Sequence, residues 1–124
     1  MMPAWIAGSA QAANKRALEL LDHVGLGDRY QHRPGELSGG EQQRVAVVRA
    51  LINQPQVVLA DEPSGNLDPE NSEALHEILE NLAKETGQAF LVATHSRSLA
   101  RRAHRTLLLK KGTLHPLEVV SEWT

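Results

Sequence analysis

The sequence predicts an α/β fold with a largely parallel sheet. Residues 57–60 form a short, unbroken apolar run, as expected of a strand buried on both faces of a parallel sheet, and residues 89–93 form a second short apolar run that is typical of a buried strand. Between them, residues 69–85 show the apolar spacing of an amphipathic helix, and a right-handed crossover of this kind joins parallel neighbours. A third apolar run, residues 106–109, continues the alternation of helix and strand.

Length and composition narrow the function. The 124 residues amount to one domain or less. There is no cysteine, which excludes disulfides, thiolate metal sites and a cysteine nucleophile. The net charge of -2 provides no basic stripe, so we expect no nucleic-acid partner. No apolar run approaches the ~18 residues of a membrane span, so we expect no transmembrane segment.

The first half of the chain predicts two helices. The first runs from about residue 10 to residue 24 and is closed by Gly25 and Gly27. A polar loop follows, up to about residue 36. Ser38 and Glu41, three residues apart, form a capping-box pattern that opens a second helix, which we expect to end near Asn53.

Two glycines, Gly39 and Gly40, follow the expected cap directly. Their backbone N–H groups lie at the positive end of the helix dipole, where a phosphate oxygen or another anion binds well. An ordinary helix start has the same pattern, so Ser38-Gly39-Gly40 alone does not decide between the two interpretations.

Two adjacent carboxylates, Asp61 and Glu62, follow the first strand. Ligands of open α/β sheets bind at the carboxyl ends of strands, so this pair lies where a site is expected. Pro63 ends the strand, and Asp68-Pro69 has the form of an N-cap followed by the first helical residue. The acids are either solvated side chains before a turn or a metal–nucleotide site. In the second case Asp61 holds Mg²⁺ and Glu62 orients and deprotonates an attacking water.

Thr94 and His95 end the second strand, beside the end of the first. We expect residues 98–103 to form a short helix with two exposed arginines, and residues 110–113 to turn into a final strand or tail. No histidine spacing indicates zinc. Five other histidines are expected on the solvated surface: His23, His32, His76, His104 and His115.

Four motifs together resemble the ATPases of ABC transporters. Residues 37–42 (L-S-G-G-E-Q) are similar to their signature motif, and residues 57–62 resemble their Walker B strand with its following glutamate. Residues 65–68 resemble their D-loop, and Thr94-His95 resembles their switch histidine. Within the family, the sequence is most similar to the lipoprotein-release (LolD-like) and macrolide-export (MacB-like) branch. One departure follows the histidine, where Ser96 replaces the usual aspartate.

The resemblance implies the C-terminal half of a P-loop NTPase domain. Residues 1–54 correspond to part of the helical subdomain, ending in the signature helix, and residues 55–124 to the C-terminal part of the α/β catalytic core. The 124 residues contain no G-x-x-x-x-G-K-S/T phosphate loop. We therefore expect a fragment, a truncated gene product or a mis-assigned start, and a chain that binds MgATP weakly and does not hydrolyse it alone.

The resemblance also implies residue roles, with ATP and Mg²⁺ as cofactors. Asp61 would hold Mg²⁺, Glu62 would be the general base, and His95 would contact the γ-phosphate and position Glu62. The signature would grip the γ-phosphate bound to a second ATPase subunit, and the D-loop aspartate would couple the two sites. The residues expected to act across this dimer are Ser38, Gly39, Gly40, Glu41, Gln42 and Asp68.

The function implied is that of an ATP-hydrolysing subunit of an ABC transporter, of the lipoprotein-release or macrolide-export type. Its partners would be a second ATPase subunit and membrane permease subunits, which would hold it on the cytoplasmic face of the inner membrane. One alternative is a truncated, non-catalytic partner that presents its signature motif in trans to a complete ATPase. Another is a related soluble ATPase of DNA repair or translation, which the charge balance disfavours.

The expected half-sheet also has a consequence for solubility. An unpaired strand edge and an exposed apolar face favour association. We therefore expect the chain to self-associate, or residues 1–6 to pack over the exposed face.

Overall fold

A computed structural model describes residues 10–27 and 38–118 of the chain. The predictions for residues 1–6 and for the loop at residues 28–36 lie outside this part. The elements in chain order are α1 (Ala10–His23), α2 (Gly39–Leu51), β1 (Val57–Asp61), α3 (Pro69–Thr86), β2 (Ala89–Ala93), α4 (Arg97–Arg102), β3 (Thr106–Lys110) and β4 (Thr113–Leu117). The predicted alternation of helices and strands is confirmed.

The helix ends follow the local signals in the sequence. Gly25 has a φ of +79°, in the left-handed region that ends many helices. The side chain of Asp68 caps α3 by accepting a hydrogen bond from the Asn71 N–H at 3.1 Å, and Pro69 is the first helical residue. Gly87, with a φ of +70°, ends the same helix. The predictions that Gly25 ends the first helix and that Asp68-Pro69 begins the third are confirmed.

Strands β1 and β2 form a parallel pair joined by α3. Val57 lies opposite Ala89, and the register continues residue by residue to Asp61, which lies opposite Ala93. The carboxyl ends of the two strands therefore lie side by side, as predicted.

Strands β3 and β4 do not extend this pair. Within the described residues they form a separate two-stranded antiparallel sheet, in which Thr106 lies opposite Leu117. The two-residue connection has positive φ at Lys111 (51°) and Gly112 (76°), the combination that a type I′ hairpin turn requires. This turn reverses the chain directly, so the third strand pairs with the fourth and departs from the parallel arrangement expected for it.

The hydrophobic core lies between the helices and one face of the β1–β2 pair. Its buried residues come from α1 and the turn after it, from α2, from β1 and from α3: Leu20, Val24, Leu26, Val48, Leu51, Val58 and Leu82. A hydrogen bond of 2.5 Å from Arg16 Nη1 to the Ile52 carbonyl oxygen also joins α1 to the end of α2. The core therefore holds the β1–β2 pair in place, and the carboxyl ends of these two strands carry the candidate site.

The prediction that β1 is buried on both faces is wrong, and β2, predicted to be a buried strand, is exposed on one face. Val57, Leu59 and Leu91 are 53%, 74% and 64% exposed, whereas Val58 is buried. Successive side chains of a strand point to opposite faces, and in the described part of the chain only one face is covered by helices. We call the uncovered side, defined by Val57, Leu59 and Leu91, the bare face. The exposed apolar face that we expected is therefore present.

The described part of the chain contains neither a membrane-spanning helix nor a cluster of metal-binding side chains. No helix in residues 10–27 or 38–118 is both long and apolar enough to cross a membrane. The same residues contain no group of three or more His, Cys, Asp or Glu side chains arranged to hold a metal ion.

Candidate functional site

The candidate site begins where β1 leaves the sheet. The Glu62 N–H donates to the Ala93 carbonyl oxygen at 2.8 Å, which extends the strand pairing by one residue. Glu62 itself has a φ of +45°, a conformation that non-glycine residues seldom adopt and that surrounding contacts must hold. The chain then reverses in a tight turn, with the Gly65 N–H donating to the Glu62 carbonyl oxygen at 3.0 Å.

The carboxylate of Glu62 is held by the end of β2. Its Oε1 accepts from the His95 backbone N–H at 2.7 Å and lies 2.6 Å from His95 Nδ1, and its Oε2 accepts from the Thr94 hydroxyl at 3.2 Å. The side-chain hydrogen bond of His95 is the main reason why the pKa of Glu62 lies below its ordinary value; burial opposes this shift, and the other two hydrogen bonds support it. Glu62 is thus an ionised carboxylate at neutral pH, so His95 Nδ1 carries the donated proton.

His95 is oriented but open to solvent. Its side chain is 96% exposed even though its Nδ1 is bound to Glu62. The opposite edge of the ring therefore faces outward, where it can meet a bound ligand. Ser96, which replaces the aspartate usual after the switch histidine, has a structural role. Its hydroxyl accepts a hydrogen bond from the Leu99 N–H at 3.2 Å and caps α4.

Asp61 is exposed at the end of β1, on the side of the bare face. It offers one carboxylate next to Glu62. Mg²⁺ is commonly held by one or two carboxylates together with waters and substrate phosphates, so a single exposed aspartate at a strand end fits this mode of binding. The residues described here do not form an all-protein metal cage, and none is needed for Mg²⁺.

The signature turn has the predicted capping box. The Ser38 hydroxyl accepts from the Glu41 N–H, and Glu41 Oε1 accepts from the Ser38 N–H, both at 3.2 Å. Gly39 is exposed, but Gly40 is buried: a Cβ at Gly40 would lie 3.0 Å from Asn71 Oδ1. The second glycine therefore has a packing reason, the close approach of α3, which the sequence did not reveal.

The D-loop region packs beside the signature turn of the same chain. An open cleft is lined by Gly39, Gln42 and Gln43 of α2 and by Asn66 and Leu67 of the turn after Glu62. Asp68, which follows, is exposed and is used locally as the cap of α3. The structure thus brings Glu62, Thr94 and His95 into direct contact, and the signature turn contacts the D-loop region separately.

The prediction that His76 is a solvated surface residue is wrong. It is 1% exposed, and its Nε2 lies 2.7 Å from the buried Ser64 hydroxyl. A signal existed in the sequence, since His76 lies one residue from Leu75 and three from Leu79 on the buried stripe of α3. Of the other histidines, His23 is exposed as predicted and pairs with Glu85 at 2.9 Å.

Two further histidines, His104 and His115, are exposed as predicted, whereas His32 lies outside the described residues. One of the two arginines expected to be exposed is not. Arg102 is partly buried because its guanidinium donates to Glu80 at 2.9 Å and to Glu73 at 3.1 Å, which pins α4 to α3. Arg101 is exposed as predicted.

The sequence is similar to known ATP-binding subunits. It is 54% identical over 115 residues to the lipoprotein-releasing system ATP-binding protein LolD of Bacteroides thetaiotaomicron, which covers 92% of this chain and 53% of the relative. The LolD of a Shewanella species is 54% identical over 114 residues, which covers 91% of this chain and 49% of that protein. The chain spans about half the length of these curated relatives.

Solved structures agree with the fold. The dimeric structure of MJ0796, a bacterial ABC transporter cassette, matches with a TM-score of 0.69 at 43% identity and covers 87% of this chain and 47% of that one. A post-hydrolysis dimer of the same cassette bound to ADP and Pi matches with a TM-score of 0.70 at 40% identity, covering 91% and 50%. The sequence profile described as ABC transporter matches residues 4–65. The chain belongs to the ABC transporter family.

Proposed function

We propose that this chain supplies the Mg²⁺-binding and water-orienting half of an ABC-type ATPase, in a transporter of the lipoprotein-release or macrolide-export type. The single observation that carries the proposal is the contact between Glu62 and His95, at 2.6 Å, across the ends of two parallel strands. This contact joins a carboxylate to an imidazole whose other edge is open, which is the arrangement needed next to a reacting phosphate and its water.

In this proposal Glu62 orients the attacking water. An ionised carboxylate has about four lone-pair positions, and three are taken by His95 and Thr94 in the present geometry. The remaining position can accept one proton of a water molecule. Because the pKa of Glu62 is lowered, we assign it orientation and stabilisation of the water more than strong base catalysis. His95 would meet the γ-phosphate with its outward edge.

Asp61 would hold Mg²⁺ beside these groups, together with waters and phosphate oxygens of ATP. When bound, the metal neutralises charge that develops on the phosphates. The exposed position of the Asp61 carboxylate at the end of β1 supports this assignment.

The signature turn would act on the ATP of a second ATPase subunit. Ser38 and Gly39 are exposed at the N-terminus of α2, and the capping box keeps the turn formed. Gly40 would allow α3 to approach, and Glu41 would hold the cap. Gln42 is exposed on the first turn of α2, where it would support the grip on the phosphate. Asp68 would face the partner subunit from its exposed cap.

The division of the chain belongs to the same proposal. Residues 1–54 would be part of the helical subdomain and residues 55–124 part of the catalytic core. The membrane permease subunits would bind the assembled ATPase and hold it on the cytoplasmic face of the inner membrane. The two LolD relatives, named as ATP-binding proteins of lipoprotein-releasing systems, support this setting.

A chimera tests the proposal directly. It joins the N-terminal half of the Bacteroides thetaiotaomicron relative to this chain at their aligned residues. We expect the chimera to hydrolyse MgATP and Glu62→Gln to lower the steady-state rate by at least about 100-fold, the scale on which a positioned carboxylate acts. The matched control is Glu77→Gln, an exposed glutamate on α3, which should leave the rate unchanged. Equal rates for Glu62→Gln and Glu77→Gln, in a chimera that binds ATP, would contradict the proposal.

A second candidate function is supported by the signature turn. Its capping box consists of two hydrogen bonds between Ser38 and Glu41, so the cap itself is made by local residues. A chain that presents only this turn could complete the site of an intact ATPase subunit without hydrolysing ATP itself. Mixing the chain with the intact Bacteroides relative distinguishes the two: a change in that protein's ATPase rate that Ser38→Ala abolishes favours the second candidate, and no change removes it.

A further inference from the structure

A buried polar pair lies behind the turn that carries Glu62. The Ser64 hydroxyl and Nε2 of His76 are 2.7 Å apart, and both residues are buried. Ser64 belongs to the same tight turn as Glu62: the Gly65 N–H donates to the Glu62 carbonyl oxygen, and the Leu67 N–H donates to the Ser64 carbonyl oxygen at 3.2 Å. Ser64 lies two residues after Glu62, inside the turn that this hydrogen bond closes, so a displacement of Ser64 also displaces Glu62.

The other side of the His76 ring faces a second set of contacts. Nδ1 lies 3.6 Å from Glu73 Oε1, too long for a hydrogen bond, and in the described residues it is the buried side-chain nitrogen that lacks a partner. Glu73 accepts hydrogen bonds from Ser98 and from Arg102, and both belong to α4. The His76 ring thus lies between the turn, to which it is hydrogen-bonded through Ser64, and Glu73, which is hydrogen-bonded to the helix that follows the switch histidine.

We propose that His76 is a positioning residue for Glu62. Through its hydrogen bond to Ser64 it fixes the turn behind the carboxylate, and its opposite edge faces Glu73, which is bound to α4, so that Glu62 and His95 keep their mutual position. The proposal rests on the proposed function only in its description of Glu62 as the group that orients water. Glu62 needs such support because its positive φ is unfavourable for a residue with a Cβ and persists only where the surroundings hold it.

The environment of the ring determines which nitrogen carries the proton. Burial lowers the pKa of His76, with Arg102 acting in the same direction and the Glu73 carboxylate opposing. The ring is therefore neutral at pH 7. A proton on Nδ1 faces the Glu73 carboxylate favourably and leaves Nε2 to accept from Ser64, whereas a proton on Nε2 turns a lone pair toward that carboxylate. The geometry therefore favours the Nδ1–H tautomer of His76.

A histidine is otherwise a costly choice at this position. A leucine would continue the buried stripe of α3 formed by Leu75 and Leu79 without burying polar nitrogens. The imidazole gives in exchange a hydrogen bond to Ser64 and, on the opposite side of the ring, a polar edge that faces the Glu73 carboxylate at 3.6 Å. An amide can reproduce one of them, since the terminal nitrogen and oxygen of glutamine reach about as far as Nε2, and a leucine can reproduce neither.

The test uses ring ¹⁵N–¹H NMR of the complete 124-residue chain at neutral pH. In the wild type we expect the Nδ1–H tautomer for His76 and a slowly exchanging Nδ1 proton on His95. His76→Leu and Ser64→Ala should shift the His95 ring signals and accelerate exchange of that proton, and His76→Gln should shift them less because it keeps the contact to Ser64. The matched control, His23→Gln, changes an exposed histidine and should leave the His95 signals in place.

Three outcomes overturn the proposal. One is an unchanged His95 spectrum in His76→Leu and Ser64→Ala while the urea midpoint of unfolding falls, since His76 then only packs. Another is equal shifts in His76→Leu and His76→Gln. The third is the Nε2–H tautomer of His76 in the wild type. If His76→Leu does not fold, Ser64→Ala decides alone, because it removes only one hydroxyl. The NMR measurement uses no ATP, so its result does not depend on whether the chimera hydrolyses ATP.

Discussion

The two faces of the β1–β2 pair differ although their sequences are nearly equally apolar. On one face Val58 is buried and Phe90 is partly buried, packed against the core formed by the helices. On the bare face Leu59 and Leu91, which lie opposite each other in the register, are mostly exposed. The candidate site at the strand ends is held by the strand register and by the hydrogen bonds that Glu62 accepts from Thr94 and His95. Apolar composition predicts a strand, but packing decides which face stabilises the site.

The largest expected difference between the faces is in stability. Leu82→Ala removes a fully buried side chain of the core cluster that also contains Val58 of β1, and it should lower the free energy of unfolding by about 2–5 kcal/mol. Leu59→Ala is the matched change on the bare face and should stay within about 0.5 kcal/mol. Urea unfolding followed by circular dichroism measures both. Equal losses would mean that the bare face is covered in solution.

A smaller loss is expected at the start of α2, which covers one side of the sheet. Ser38→Ala removes the side-chain cap and should cost about 1 kcal/mol in the free energy of unfolding, and Ser38→Gly only a few tenths. The same urea titration measures these values. A loss in Ser38→Gly as large as that in Ser38→Ala would show that the hydroxyl acts through something other than helix capping.

The stability of the chain should also depend on pH, over a range that is set by the lowered pKa of the buried His76. The pKa of this residue is lowered on folding, so the unfolded chain takes up its proton more readily, and stability falls as the pH drops below about 6.5. Glu62, whose pKa is also lowered, adds a loss only below about 4.5. Urea midpoints at pH 7.5 and 5.5 should differ in the wild type and differ less in His76→Gln. An equal difference in both proteins would assign the effect to other groups.

The smallest effect on stability is expected on the bare face, where association should change instead. Leu59→Glu combined with Leu91→Lys places opposite charges on a cross-strand pair and removes two exposed leucines. We expect the wild type to self-associate in sedimentation velocity and the double variant to do so less, at nearly the same unfolding midpoint. Identical sedimentation profiles would show that the bare face does not drive association.

The features that could be predicted from the sequence are local. The capping box of Ser38 and Glu41 closes within four residues, and Asp68 and Gly87 mark the ends of α3 by their own chemistry. The meeting of Glu62 with His95, 33 residues apart, was also predictable, because a right-handed crossover places the carboxyl ends of neighbouring strands together.

The features that could not be predicted depend on distant packing. The buried His76 has the distant Ser64 hydroxyl as its hydrogen-bond partner. The partly buried Arg102 binds two glutamates of α3, Glu73 and Glu80. The antiparallel pairing of β3 with β4 depends on a two-residue hairpin turn, and the residue pair Lys111-Gly112 alone did not show that the chain would reverse there. Burial of one face of β1 depends on which helices lie beside it.

The most direct test of the central claim is the protonation of His95 in the complete chain. Ring ¹⁵N–¹H NMR at neutral pH should show a proton on Nδ1 that is protected from exchange in the wild type and loses its protection in Glu62→Ala, because the carboxylate that accepts it is gone. A His95 ring with the proton on Nε2 only, or an Nδ1 proton whose exchange is unchanged in Glu62→Ala, would contradict the contact on which the proposed ATPase site is built.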